Sequence, residues 1–386
     1  MSDDELYDRR EQTLVKHLIL GHYLERFAHI VGHSWPSITY VDCFAGPWNV
    51  KSDQLEDSSF AIALNELRKA RETLAQKGKP LKLRVFFIEK HRSAFGQLEE
   101  FAKGVRDAEV EILNRELEDS VEEILSFIRR GRDTFPFIFI DPTGWTGFRL
   151  EVIGPLLQLA PGEILINFMT EHIRRFLGHA PSRQSFIDLF GSDRALERLE
   201  GLSGVERDDA MVGEFMEAVK SRGRFSHVLS AVVLHPEKER AHFHLIYGTR
   251  HPKGVEVFKE AERKAMERML QVRSDAQLRR ERERTGQRSL LELFGGSVPA
   301  ASHYFDDLRE RYLNQGRNKV LELLDERKRL PYDDAWAAAL SWPLVWERDL
   351  KKWIGEWQKT GLIVLEGLQG HERVPRREQG HMLVKR

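Results

Sequence analysis

The chain has 386 residues, 41% hydrophobic and 31% charged, a balance that suits a globular protein and excludes wholesale disorder. Its 60 basic and 61 acidic side chains leave a net charge of −1, so bulk positive charge cannot hold nucleic acid and any basic surface must be local. The one cysteine, Cys43, excludes an internal disulfide and a cysteine-built zinc or iron–sulfur site, and no apolar run is long enough to span a bilayer.

Leu14, Leu18, Leu24, Phe27 and Val31 recur at near-helical spacing, which predicts an amphipathic helix ahead of the first strand. The run 38–42 (ITYVD) reads as a strand that ends in an acid and a Gly/Pro loop. Ser58 or Ser59 can cap a helix to about residue 75. A strand over 83–89 (LRVFFIE) again ends in an acid, and a weaker one covers 110–113. A helix over Val121–Arg130 precedes 137–141 (FIFID), which is apolar on both faces as a central parallel strand should be. A helix over 153–159 and a strand over 164–168 (ILINF) complete an alternation that predicts an α/β sheet wound in parallel.

Residues 170–222 are helical and charged, and read as an insertion on the sheet. Strands over 225–234 and 242–247, joined by a polar turn, would close the sheet with an antiparallel edge before a helix over 255–272. The charge-dense stretch 273–296 reads as a linker, which bounds a first domain of 1–272. Residues 297–386 form a second domain. It has one helix before Arg327, another over Tyr332–Leu340, and a third with Trp346, Leu350, Trp353 and Trp357 on one face. A strand over 362–366 and a return strand over 371–374 would make it a winged helix-turn-helix.

Open α/β sheets bind ligands at the carboxyl ends of their strands, and three such ends carry acids: Asp42, Glu89 and Asp141. The loop DCFAGPW begins at Asp42 and continues through Phe44, Ala45 and Gly46, where the glycine lets backbone approach a ligand. It is neither a dinucleotide fingerprint nor a phosphate-binding lysine loop, so it suits a ligand with a cationic amino-acid end. Glu89 is placed to accept hydroxyl hydrogens from a ribose, although strand-end acids also cap turns. Together the two acids point to a nucleoside-containing ligand. In DPTGW, Asp141 and the Pro142 carbonyl can both accept from one amine, and Trp145 offers a flat surface for a base.

These motifs, with the helix from Lys16 and His17 to Tyr23, HFHLIYGTRHPKG, and PYDDAWAAAL with DLKKWIGEWQKTGLIVLEG, resemble the three-Cys-motif partner (TcmP) family over most of the chain. That family resembles class I S-adenosylmethionine-dependent methyltransferases. The resemblance implies a Rossmann-like methyltransferase-type sheet, with S-adenosylmethionine as cofactor. Asp42, Phe44, Ala45 and Gly46 would lie on its methionine side, with Glu89 on its ribose. Asp141 and Pro142 would match the start of the Asp-Pro-Pro-aromatic motif of amino-methyltransferases. Thr143, Gly144 and Trp145 depart from that motif, and Trp48 stands where such a loop carries a second glycine. The resemblance also implies a separate partner bearing three cysteines, similar to a radical S-adenosylmethionine protein.

The expected function is methyl transfer to an exocyclic amine of a nucleic-acid base, DNA or RNA, with a non-catalytic adaptor as the alternative. Arg348, Lys351, Lys352 and Lys359 on the third C-terminal helix, and Arg373 in the tail, are candidate phosphate contacts. His242 and His244 alternate on one strand but lack a third ligand at useful spacing, so no metal is expected. His172, Arg174 and Arg175 read as a solvated helix face. The run 287–294 (QRSLLELF) resembles a sliding-clamp peptide. A reducing compartment and an N-terminus without a signal-peptide pattern predict a cytoplasmic protein.

Overall fold

The computed structural model describes residues 6–47, 50–52, 54–285, 303–370 and 372–386. Trp48, His371 and the run 287–294 lie outside the described residues. The chain divides into two compact units, Met1–Val228 with Val232–Pro299, and Ala300–Arg386 with Leu229–Ala231.

The first unit is built on a seven-stranded sheet. Its strands are β1 (Ser37–Asp42), β2 (Lys82–Ile88), β3 (Glu109–Leu113), β4 (Thr134–Ile140), β5 (Glu163–Phe168), β6 (His227–Leu234) and β7 (Ala241–Thr249). The order across the sheet is β3-β2-β1-β4-β5-β7-β6. Neighbours among β1 to β5 are parallel, while β7 runs antiparallel to β5. Every residue of β1 and β5 is buried, because helices cover both faces of the sheet. Pro136 is tolerated inside β4 because the pairing with β5 begins only at Phe137.

Helix α1 (Glu11–Val31) precedes β1, and α2 (Ser59–Gln76), α3 (Arg92–Gly104), α4 (Val121–Arg130) and α5 (Leu150–Leu157) follow successive strands. Ser58 caps α2 by accepting the Ala61 N–H at 3.3 Å. The span expected as a helical insertion holds α6 (Thr170–Phe176), α7 (Arg183–Phe190), α8 (Asp193–Leu199) and α9 (Gly204–Gly223). On one face of the sheet, Tyr23 and Phe27 of α1 pack on Phe137 of β4 at ring separations of 5.5 and 5.4 Å. Tyr247 of β7 joins them, at 5.0 Å from Tyr23. On the other face, Phe168 stacks on Phe215 of α9 at 4.4 Å.

Two features depart from expectation. Helix α3 carries only Ala94 and Leu98 as buried residues, too sparse an apolar stripe to stand out. Helix α10 runs over Pro252–Thr285, 34 residues, so the first half of the expected linker is helix. Arg273 and Arg279 within it are not part of a solvated tether. Arg273 is 2% exposed and donates to the His235 and Lys238 carbonyls, and Arg279 pairs with Asp8 and Glu11. These partners lie far away in sequence, which is why local charge counting missed them.

The second unit contains α11 (His303–Arg327), α12 (Tyr332–Leu340), α13 (Glu347–Lys359) and a three-stranded antiparallel sheet. Its strands β8 (Arg329–Pro331), β9 (Ile363–Glu366) and β10 (Met382–Lys385) lie in the order β8-β10-β9. The return strand is therefore 382–385 and not 371–374. Leu383 is fully buried there, whereas Val374 is 44% exposed and precedes a proline. The tryptophan stripe is as expected: Trp346, Leu350, Trp353 and Trp357 are all buried. Among the described residues, no helix is long and apolar enough to cross a membrane.

Candidate functional site

Parallel strands bring their carboxyl ends to one rim, and the register fixes which tips are neighbours. Asp42 pairs in the ladder with Phe87 on one side and Phe139 on the other, so Glu89 and Asp141 each lie two residues beyond it. The ladder continues into the loops through Ala45 N–H to the Ile88 carbonyl at 2.7 Å and Cys43 N–H to the Phe139 carbonyl at 2.9 Å.

A cavity of about 130 Å³ opens at this rim. Phe44, Glu89, Asp141, Pro142 and Gly147 are among the residues that line it. Glu89 is 4% exposed; its Oε1 accepts the His91 N–H at 2.6 Å, which leaves Oε2 for a hydroxyl donor. The Asn114 amide donates to the Glu89 carbonyl at 2.7 Å and holds the β2 tip.

Asp42 does not share this wall. Its carboxylate is fully buried and accepts from Ser59 Oγ at 2.7 Å, the Phe44 N–H at 3.2 Å and the Tyr40 hydroxyl at 3.3 Å. The expected grip on a cationic ligand end is corrected accordingly: Asp42 shapes the β1 loop and the start of α2 from inside. Burial pushes its carboxyl up to about 6, and the nearby Asp141 adds to that, against the hydrogen bonds it accepts. Burial also raises the Tyr40 hydroxyl well above its ordinary value. Ala45 is buried and Gly46 half-buried in the same loop.

Asp141 is held by two groups that sequence reasoning did not single out. Lys16 of α1 forms an ion pair with its Oδ2, with the two side chains 12% and 13% exposed. Asn167 of β5 donates Nδ2 to Oδ1 at 2.7 Å. Asn167 is 3% exposed, and its own Oδ1 is buried without a hydrogen-bond partner. A buried acceptor left unpaired costs about 1–3 kcal/mol, so this atom marks a place for an N–H or O–H donor. The available signal for Asn167 was a lone polar residue in an apolar strand; for Lys16 there was none beyond its place in the helix.

Trp145 is not an open platform for a base. Its indole N–H donates to Ser185 Oγ at 3.0 Å, and its ring packs against Phe176 and Phe186 at 5.0 and 5.2 Å. It ties the loop after β4 to the helical insertion, whose aromatic residues could not be placed from sequence.

A second polar cluster lies where the β6–β7 hairpin meets α6. Glu171, His235 and His242 bring one potential metal-ligand atom each within 4.8 Å of one another. Several of its atoms already have partners within the protein. Arg240 pairs with Glu171 Oε1, His242 Nδ1 donates to Oε2 at 2.6 Å, and His235 Nδ1 accepts the N–H groups of Glu237 and Lys238 at 3.1 and 3.2 Å. Burial lowers His235 to about 4 and lowers His242 as well. The three residues act as a clamp on the hairpin turn. His244 is separate, with Nδ1 at 2.7 Å from Thr170 Oγ1, so the His242–His244 pair does not form a metal site. Arg174 pairs with Asp208 and is not left facing solvent.

In the second unit the candidate cations differ in availability. Lys351 pairs with Glu347 at 2.8 Å, and Arg348 lies over the Trp346 ring at 5.0 Å. Lys352, Lys359 and Arg373 are exposed.

The sheet order β3-β2-β1-β4-β5-β7-β6, with β7 antiparallel to β5, is that of a mixed α/β sheet. No family model matches the chain, and no curated protein matches it. Similar solved structures include a loganic acid methyltransferase with SAH, at 10% identity over 73% of this chain and 92% of that one, TM-score 0.30. Another is the mycolic acid cyclopropane synthase CmaA1 complexed with SAH and CTAB, at 13% identity over 65% and 72%, TM-score 0.25. A third is PKMT2 from Rickettsia typhi, at 9% identity over 61% and 56%, TM-score 0.28.

Proposed function

We propose that the chain is an S-adenosylmethionine-dependent methyltransferase whose acceptor is an amine, with an exocyclic amine of a nucleic-acid base as the favoured class. The observation that carries this reading is that Glu89 and Asp141, from two strand tips of one sheet, line a single cavity together with Phe44 and Pro142. The cofactor supplies an electrophilic methyl group. Glu89 Oε2 accepts from the ribose. Asp141 and the Pro142 carbonyl accept from the amine and turn its lone pair to the methyl, so that the protein contributes mainly position. The Asn167 amide N–H holds the Asp141 carboxylate in place. A base within a duplex would have to be flipped out to reach them.

The second unit supports the nucleic-acid part of the proposal. Its order of helix, strand, two helices and two strands is that of a winged helix-turn-helix, and the exposed Lys352, Lys359 and Arg373 suit phosphate contacts. Membership of the three-Cys-motif partner family, and a partner with three cysteines, belong to the same proposal and rest on the motif resemblance. Calorimetry with S-adenosylmethionine and S-adenosylhomocysteine tests the core of it. Binding is expected, and no binding by the intact protein would overturn the reading.

One observation favours a second reading, a non-catalytic adaptor. The Asp42 carboxylate is used up by protein donors, and that of Asp141 is partly so. Methyl transfer to bulk DNA or RNA separates the two: the adaptor shows none while still retaining nucleic acid on a column.

A further inference from the structure

The geometry points to a second ligand site in the helical insertion, one that takes an aliphatic chain ending in a carboxylate, such as a medium-chain fatty acid. A cavity of about 400 Å³ opens there, lined by α8, the first turns of α7 and α9, and the turn after α6. That volume falls within the range of small-molecule sites. No residue lines both this cavity and the one at the strand tips, so the site stands apart from the cofactor cleft and does not depend on how that cleft is read.

The lining is divided by chemistry. Leu177 after α6, Leu196 and Leu199 of α8, and Leu202 in the next turn supply an aliphatic wall. Leu196 and Leu199 are buried, and Leu177 and Leu202 are half-buried. Among the described lining residues there is no Phe, Tyr or Trp on which a flat base could stack. The polar side carries Arg183 at the start of α7 and Arg207 in the first turn of α9. Arg207 is half-buried, and its Nε–H is buried without a hydrogen-bond partner. Among the described residues, neither arginine forms an ion pair with an acid. Glu200 is the one acid among the described lining residues, and it is exposed.

A buried N–H on a cation is expensive to leave unpaired, so this side of the cavity is completed by a charged acceptor. A carboxylate presents two oxygens to an arginine fork. The methylenes behind it displace water from the four leucines. Leucines alone would make ordinary core, and arginines alone would be solvated cations. Their meeting in one cavity selects an occupant with both an apolar chain and a negative end.

The test is titration calorimetry of the full-length protein with sodium decanoate below its micelle-forming concentration. Saturable binding at one site per chain is expected. Affinity should fall at least about tenfold from decanoate to hexanoate, because each buried methylene is worth up to about fourfold, and acetate should show no binding. Decanol keeps the chain and loses the charge, and should bind about tenfold more weakly than decanoate. Arg207→Gln should weaken decanoate by about tenfold. Arg183→Ala, on the exposed side and away from the packed interior, should weaken it about twofold to threefold. No decanoate binding, equal binding of decanol, or an affinity indifferent to both arginines overturns the inference. Equal affinities for acetate and decanoate reduce the site to a simple anion contact and overturn it too. Retention on phosphatidylserine vesicles without binding of free decanoate places the contact on a lipid surface and likewise overturns it.

Discussion

Asn167 donates its amide to Asp141 at 2.7 Å while its own carbonyl oxygen stays buried and unpaired. The amide N–H thus orients the Asp141 carboxylate. Asn167→Ala is expected to lower kcat/KM for an amine acceptor about tenfold to a hundredfold, in line with about 1.5–3 kcal/mol for a hydrogen bond to a charged group. Cofactor affinity should stay the same, because Asn167 does not line the Glu89 cavity. A fall in both would make Asn167 a merely structural residue.

Glu89 has one oxygen committed to the His91 N–H and one available. Glu89→Gln preserves the backbone bond but weakens the charged acceptor, and Glu89→Ala removes it. Titration calorimetry with S-adenosylhomocysteine should show affinity falling in that order, by about tenfold to a hundredfold for alanine. Equal affinities would remove Glu89 from the ribose role.

Asp42 gives a pH signature. Its carboxyl is raised from 3.8 to about 6 by burial, so the folded state binds the proton more tightly than the unfolded chain does. The resulting stabilisation is full below about pH 4 and is lost as pH rises through about 6. Asp42→Asn imitates the protonated form. Its stability relative to the parent should therefore climb between about pH 4 and pH 7 and then level off. The total change should be about 2–3 kcal/mol. Urea unfolding at several pH values measures it, and a flat difference would mean the carboxyl titrates as it does in water.

Trp145 predicts a separation of stability from chemistry. Trp145→Phe keeps the ring contacts with Phe176 and Phe186 but loses the bond to Ser185, and should cost about 1 kcal/mol. Cofactor binding should be unchanged. If the variant instead loses acceptor affinity alone with normal unfolding, the indole meets the substrate after all.

The sheet was legible because its strands are short, apolar and β-rich, and because four of the five parallel strands end on or just before a polar residue, Asp42, Glu89, Asn114 and Asp141. That same regularity located Asp42, Glu89 and Asp141 at one rim. Orientation was not legible. Nothing local distinguishes a strand-end acid that faces a cavity, as Glu89 does, from one taken inward by a hydroxyl on the next helix, as Ser59 takes Asp42. The partners of Asp141 come from residues 125 positions earlier and 26 later, beyond any periodicity argument. The surroundings of Trp145 were not legible for a related reason: an aromatic on a loop fits an open surface and a packed turn equally until the helices beside it are placed.

Helix α1 reaches both the interior and the rim. Tyr23 hydrogen-bonds Glu163 and, at 2.6 Å, Tyr247 deep in the first unit, while Lys16, on the same helix, meets Asp141. The two residues are about 10 Å apart along the axis. A helix pinned so close to Lys16 behaves as a stiff arm, and the meeting of Lys16 with Asp141 at the rim is set by tyrosine packing in the interior. Damage to that deep contact is expected to loosen the Lys16–Asp141 pair before it unfolds the protein.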